Sequence, residues 1–129
     1  MILGQFTANF QHGLLVISAP ESTDAHEDWD PVTENFHAGP DSIYYGVQPA
    51  ASGMVSVACL EDEEDNSGLE RYFTGVISLP SRRLQFYDPN QTINMIVPVS
   101  YKETRIEIYA DIEEDPANLV VRLTDSSAA

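Results

Sequence analysis

Carboxylates are the side chains of this sequence whose number and spacing could do chemistry. Glu61, Asp62, Glu63, Glu64 and Asp65 form an unbroken run. Glu21, Asp24, Glu27, Asp28 and Asp30 make a looser group, and Asp111, Glu113, Glu114 and Asp115 a third. Clustered oxygen ligands could bind a hard cation such as Ca2+. A pair of carboxyls could run acid–base chemistry on a glycosidic bond. A dense negative surface could also steer and hold a positively charged partner. In all, 21 acidic residues stand against 6 basic ones, a formal net charge of −15 in 129 residues. Such a chain repels nucleic acid and anionic lipid, so neither is expected as a direct ligand.

Catalysis finds little support in the residue types. A serine nucleophile needs a strained turn and a positioned imidazole, and no G-x-S-x-G occurs. Cys59 lies inside the apolar stretch Val57-Ala58-Cys59-Leu60, where a thiol packs as a small hydrophobe. No Cys or His pair has zinc spacing and no glycine loop could cradle a phosphate. The acids crowd together without an aromatic sugar platform, which disfavours a glycosidase. The chain is therefore expected to be no enzyme and to carry no cofactor.

His12, His26 and His37 are scattered and read as surface or loop residues. Asp24, Glu27 and Asp28 surround His26, and their field should favour its protonated form. That predicts partner binding that changes between about pH 6 and 7.5.

The elements that must carry these groups show a period of two. Phe73, Gly75, Ile77 and Leu79 alternate with Thr74, Val76 and Ser78; Ile106, Ile108 and Ala110 alternate with Arg105, Glu107 and Tyr109. Leu119, Val121 and Leu123 repeat the pattern, which describes strands with one buried face. Further strands are expected over Gln5–Phe10, Leu14–Ser18, Ser42–Val47, Met54–Leu60, Leu84–Tyr87 and Thr92–Val99. Pro98 cannot donate to a ladder and belongs at an edge. One short helix is expected over Pro31–Phe36, with Asp30 as its N-cap and Gly39-Pro40 as its stop. The whole predicts one all-β domain over residues 1–129, an antiparallel, jelly-roll-like β-sandwich of about eight or nine strands. All three acidic groups then fall in its loops.

Loop position leaves three readings of the acids, the plainest being a solvated surface on a structural protein that is merely acidic. A Ca2+-dependent, C2-like module would draw ligands from several loops, with Asp24, Asp28, Asp30 and Asp111 as candidates. Against it, Trp29 stands where a calcium loop needs its sharp-turn glycine, and consecutive acids in extended chain point to opposite sides. The favoured reading is a protein partner with a cationic cleft, as a nuclease must have to hold a polyanion. Asp28, Trp29 and Asp30 have the composition of an interface hot spot, and Glu61, Asp62, Glu63, Glu64 and Asp65 form a second contact or steering element. For Trp29 itself, a core residue covering one end of the sandwich is the slightly favoured alternative. A lone cysteine, no signal-like N-terminus and no long apolar stretch predict a cytoplasmic address.

The order of residues also resembles a known family. Phe6 and Phe10 precede Asp28-Trp29, then Asn35-Phe36-His37-Ala38-Gly39, Asp41-Ser42-Ile43-Tyr44-Tyr45, Leu69-Glu70-Arg71-Tyr72 and Val76-Ile77-Ser78-Leu79-Pro80. Across about residues 6–110 this resembles the competence-protein-J family, small acidic inhibitors of a bacterial DNA-entry nuclease. The resemblance implies a non-enzymatic nuclease-binding protein and transfers no catalytic residue.

Overall fold

Alternation of apolar and polar residues builds two sheets whose inner faces meet. The computed structural model describes residues 1–64 and 67–127. Among them are ten strands: β1 (Ile2–Ala8), β2 (Leu14–Ser18), β3 (Phe36–Ala38), β4 (Ser42–Gly46), β5 (Val55–Glu61), β6 (Glu70–Ser78), β7 (Arg83–Tyr87), β8 (Asn94–Pro98), β9 (Glu103–Ala110) and β10 (Asn118–Asp125). Sheet A runs β1-β5-β10-β9-β6 and sheet B runs β3-β4-β2-β7-β8. The arrangement is the expected β-sandwich, open and not a closed barrel.

The core comes from the period-two positions. Val55, Val57 and Cys59 of β5 face Leu15, Ile17 and Phe86 across the interior, and all six are buried. Burial pushes the Cys59 thiol up to about 12, with Glu61 adding to the shift, so it packs as the expected hydrophobe. At one lateral margin Phe36 of β3 meets Phe73 of β6 edge to face, with ring centroids 5.1 Å apart. At the other, β1 approaches β8 so closely that a Cβ on Gly4 would lie 2.8 Å from the Met95 sulfur.

Three details depart from the sequence expectation. Strand β10 pairs antiparallel with β9 but parallel with β5, so sheet A is mixed. The hairpin fixes the direction of β10 against β9, and β5, already paired antiparallel with β1, then lies beside it in the same sense. The helix expected over Pro31–Phe36 is a single turn. Its start signals work: Thr33 and Glu34 N–H donate to the Asp30 carbonyl, and Val32 N–H donates to Asp30 Oδ1 at 3.0 Å. Yet Phe36–Ala38 pairs with β4 as the tenth strand, because Phe36 finds burial against Tyr45 and Phe73. Pro98 sits on edge strand β8, as its missing donor requires.

One core group is poorly served. The Tyr45 hydroxyl is buried without a hydrogen-bond partner among the described residues, and burial raises its pKa to about 12. An unmet hydroxyl costs about 1–3 kcal/mol of desolvation that phenylalanine avoids. Tyr45→Phe should therefore leave the thermal midpoint unchanged or raise it by a few degrees, roughly. A clear drop by circular dichroism would show that the hydroxyl has a partner.

Candidate functional site at the Trp29 end

The two acidic segments expected to act together stand at opposite ends of the sandwich. Along the β5/β10 pair, Ser56 lies beside Asn118 and Glu61 beside Leu123. The five steps between them span roughly 17 Å. The loop Asp111–Asp115 precedes Asn118 at one end, and the run from Glu61 emerges at the other.

That run is less uniform than its sequence suggests. Glu61 is the last residue of β5 and continues its inward positions, so it is only 3 % exposed. Its carboxylate accepts from Ser100 N–H at 2.8 Å and Ser100 Oγ–H at 2.6 Å. Asp62 accepts from the Tyr101 hydroxyl at 2.5 Å, and that bond raises the phenol to about 12. Glu63 takes the N-terminal ammonium at 2.6 Å. Glu64 is exposed, and Asp65 lies outside the described residues. Asp62, Glu63 and Glu64 thus keep outward positions, whereas Glu61 is a structural acceptor.

The segment Asp28-Trp29-Asp30 has a different neighbourhood. Its loop lies over the outer face of sheet B. Trp29 is half-buried and meets Tyr44 edge to face at 5.8 Å. Its indole N–H donates to the Glu34 carbonyl at 3.2 Å, so the ring is held by its own loop. Trp29 therefore does not cover the end of the core. Beside it lies a cavity of about 440 Å³ reached by Pro31, Val32 and Glu34 from the same loop and by Pro49, Glu114 and Asp115 from two others. Val32 is 90 % exposed at its rim. Asp28, Asp30, Glu34, Glu114 and Asp115 are all exposed. Among the described residues no Lys or Arg pairs with any of them; ion pairs to acids fall on Glu63, Asp24 and Glu107 instead.

A larger cavity, about 670 Å³, opens on sheet A near Thr7, Ser56 and Leu69, but among the described residues no charged side chain lines it. Of these two cavities the one with charged lining is the one beside Trp29. Sequence reasoning picked Trp29 and its flanking acids, and missed Glu34, Glu114 and Asp115 as their companions. The signal was present in the third acidic group; what pairs it with Trp29 is the strand register.

The calcium alternative does not assemble. Among the described residues no three His, Cys, Asp or Glu side chains form a group that could hold a metal ion. Of its four candidates, Asp24 lies against His26 and Asp30 caps its turn. Asp28 stays exposed. Asp111 closes its own loop by accepting from Ala117 N–H, Asn118 N–H and Asn118 Nδ2. Burial opposes the Asp111 charge, but the hydrogen bonds outweigh it and lower its pKa.

His26 also differs from expectation. It is 5 % exposed and stacks on Tyr44 at 4.0 Å, with the rings 21° from parallel. Nδ1 lies 2.8 Å from His37 Nδ1, and Nε2 lies 2.6 Å from Ser42 Oγ. Its pKa is lowered, not raised. Burial is the largest cause, opposed by Asp24, reinforced by His37 and again opposed by Asp41. The acidic neighbours are real; desolvation beats them.

No family model and no curated protein matches the chain. Solved structures do. The chain is similar to ComJ, described as an inhibitor of the DNA degrading activity of NucA, from Bacillus subtilis: TM-score 0.71, 7 % identity, 96 % of each chain covered. The chain has the ComJ fold. It is also similar to a structure described as Crocagin biosynthetic gene J, with TM-score 0.63 and 13 % identity over 98 % of this chain and 97 % of that one. The resemblance read from spaced residues is thus borne out in the fold.

The acidic run supplies a direct check on these roles. Glu61→Ala strands a backbone donor and should cost about 1–3 kcal/mol. Glu64→Ala should fall within about 0.5 kcal/mol of wild type, as surface changes do. Urea denaturation measures both, and equal effects would contradict the inward placement of Glu61.

Proposed function

We propose that this chain is a non-enzymatic binding protein that docks a cationic protein partner, a nuclease, with its Trp29 end. The carrying observation is the convergence of the Trp29 loop and the Asp111–Asp115 loop on one cavity with an unneutralised acidic rim. Because the indole N–H is already engaged, Trp29 offers a partner its ring and not its donor. A guanidinium or ammonium seated there gains cation–π attraction and can reach carboxylates of the rim. The surrounding net charge of −15 steers a basic partner into place.

The shared fold supports the choice of a nuclease, since ComJ is described as inhibiting the DNA degrading activity of NucA. A nuclease cleft is shaped and charged for phosphates, and carboxylates on a rigid frame can occupy it. Asp28, Trp29 and Asp30 are the central contacts in this reading. Glu34, Glu114 and Asp115 complete the rim, and Asp62, Glu63, Glu64 and Asp65 act at a distance by steering. The reading implies a cytoplasmic protein with no cofactor. It is consistent with the free, buried Cys59 and with a set of described residues that holds no helix long and apolar enough to cross a membrane.

Inhibition of DNA degradation tests this reading, using NucA and any nuclease encoded beside this chain. Inhibition should be strong at low salt and weaken as ionic strength rises from about 0.05 to 0.5 M. Trp29→Ala should weaken binding by about 2 kcal/mol, roughly thirtyfold, as a central aromatic anchor does. Glu114→Ala with Asp115→Ala should act mainly on the association rate. Full potency in Trp29→Ala would remove this end of the molecule from the interface.

A further inference from the structure

The loop that presents Trp29 buries one imidazole against sheet B. His26 is buried between Tyr44 of β4 and His37 of β3, with Ser42 of β4 at its far nitrogen. The charged groups facing it are Asp24 of its own loop, whose Oδ2 lies 3.5 Å from Nε2, and Asp41 of the β3–β4 turn. The neighbouring chain is tied to the same point. His26 N–H donates to Asp24 Oδ1, Ser22 Oγ–H donates to Asp41, and Trp29 N–H donates to the His26 carbonyl at 3.1 Å. Gly39 leaves room for this, since a Cβ there would overlap the Asp24 carboxylate. His26 itself adopts φ 51°, the left-handed turn conformation also found at Asp62, Arg82, Gln91 and Asp115.

The contact between the two rings has a proton limit. Across Nδ1···Nδ1 at 2.8 Å one nitrogen donates and the other accepts. A single added proton can be accommodated: a charged His26 donates from Nδ1 to His37 and from Nε2 toward Ser42 and Asp24. A second proton leaves two N–H groups facing each other with no acceptor and two positive charges in contact.

We propose that His26 and His37 form a one-proton latch that holds the Trp29 loop on sheet B and releases it when both rings are protonated. The proposal concerns regulation of the site read above as the partner surface, and it rests on that reading only for its effect on binding. The direction follows from linkage. The docked pair has room for one added proton where two released rings can each take one, and burial, the chief cause, lowers His26 besides, so the docked state binds fewer protons than the released one. Docking is then complete above about pH 6.5, the ordinary histidine value, and weakens as pH falls below it. If nine loops in ten are released, the apparent Kd for the partner rises about tenfold.

Trp29 is the only tryptophan in the chain, so its emission reports the loop without any partner. Emission should shift cooperatively between about pH 6.5 and 5, while far-ultraviolet circular dichroism stays that of the intact sandwich. His37→Gln removes the opposing cation but keeps an acceptor, so it should match wild type at pH 8 and move the transition to lower pH. His26→Gln should show the released emission already at pH 8. Flat wild-type emission from pH 8 to 5, or an unchanged midpoint in His37→Gln, overturns the latch. A pH-driven emission change without any change in nuclease inhibition would uphold the latch and refute Trp29 as a partner contact.

Discussion

Repulsion among 21 carboxylates is the constraint under which this fold is built. A sandwich of this size has little interior to spare, and every acid left free opposes compaction. The structure answers in two ways. Some acids become internal acceptors: Glu61 for Ser100, Asp88 for Thr92 and Ile93, Asp111 for the residues that close its loop. Glu107 takes both Arg71 and Arg122 on the outer face of sheet A, a triad that uses two of the six basic residues. In each of Asp88, Glu107 and Asp111 burial opposes the charge, yet the hydrogen bonds outweigh it and the pKa is lowered. The remaining clusters are separated by the length of the strands.

The separation has a functional side. With Arg71 and Arg122 engaged by Glu107, the N-terminal ammonium by Glu63, and no Lys or Arg paired to them among the described residues, the acids around Trp29 keep their charge. A cluster neutralised from within would have nothing to offer a basic partner. Charge also distinguishes the two cavities: among the described residues the larger has no charged lining and the smaller carries Glu34, Glu114 and Asp115.

Much of the fold was legible because burial on one side of a strand writes itself as a period of two. Ile106 and Ile108 of β9 and Leu119, Val121 and Leu123 of β10 face the core as their alternation requires. Strand β3 was not legible, because three residues carry too little pattern and Asp30-Pro31 is a sound helix start that a single turn can satisfy. Glu61 was hidden by its company. Extending the inward series Val55, Val57, Cys59 by one step reaches it, but a run of five acids argues for a loop more loudly than parity argues for a strand. Composition was followed where geometry decided.

The site was half legible for a related reason. Trp29 between two aspartates is visible in any reading of the chain, and its partners Glu114 and Asp115 lie 85 and 86 positions further on. Nothing local joins them. The joint is made by the β9–β10 hairpin, which returns to the same end as the exit of β4, where Gln48 N–H donates to the Pro116 carbonyl and Gly46 N–H to Asn35. His26 was misread in the opposite sense. Its neighbours in sequence are acids, so a field argument predicts a stabilised cation; its neighbours in space include Tyr44 and His37, and their low-dielectric enclosure reverses the sign. Sequence proximity measures charge well when side chains are solvated and badly once one of them is turned inward. In this chain the loop that carries Asp28 and Asp30 also buries an imidazole against sheet B, so its charge on the surface and its attachment to the sheet rest on different side chains.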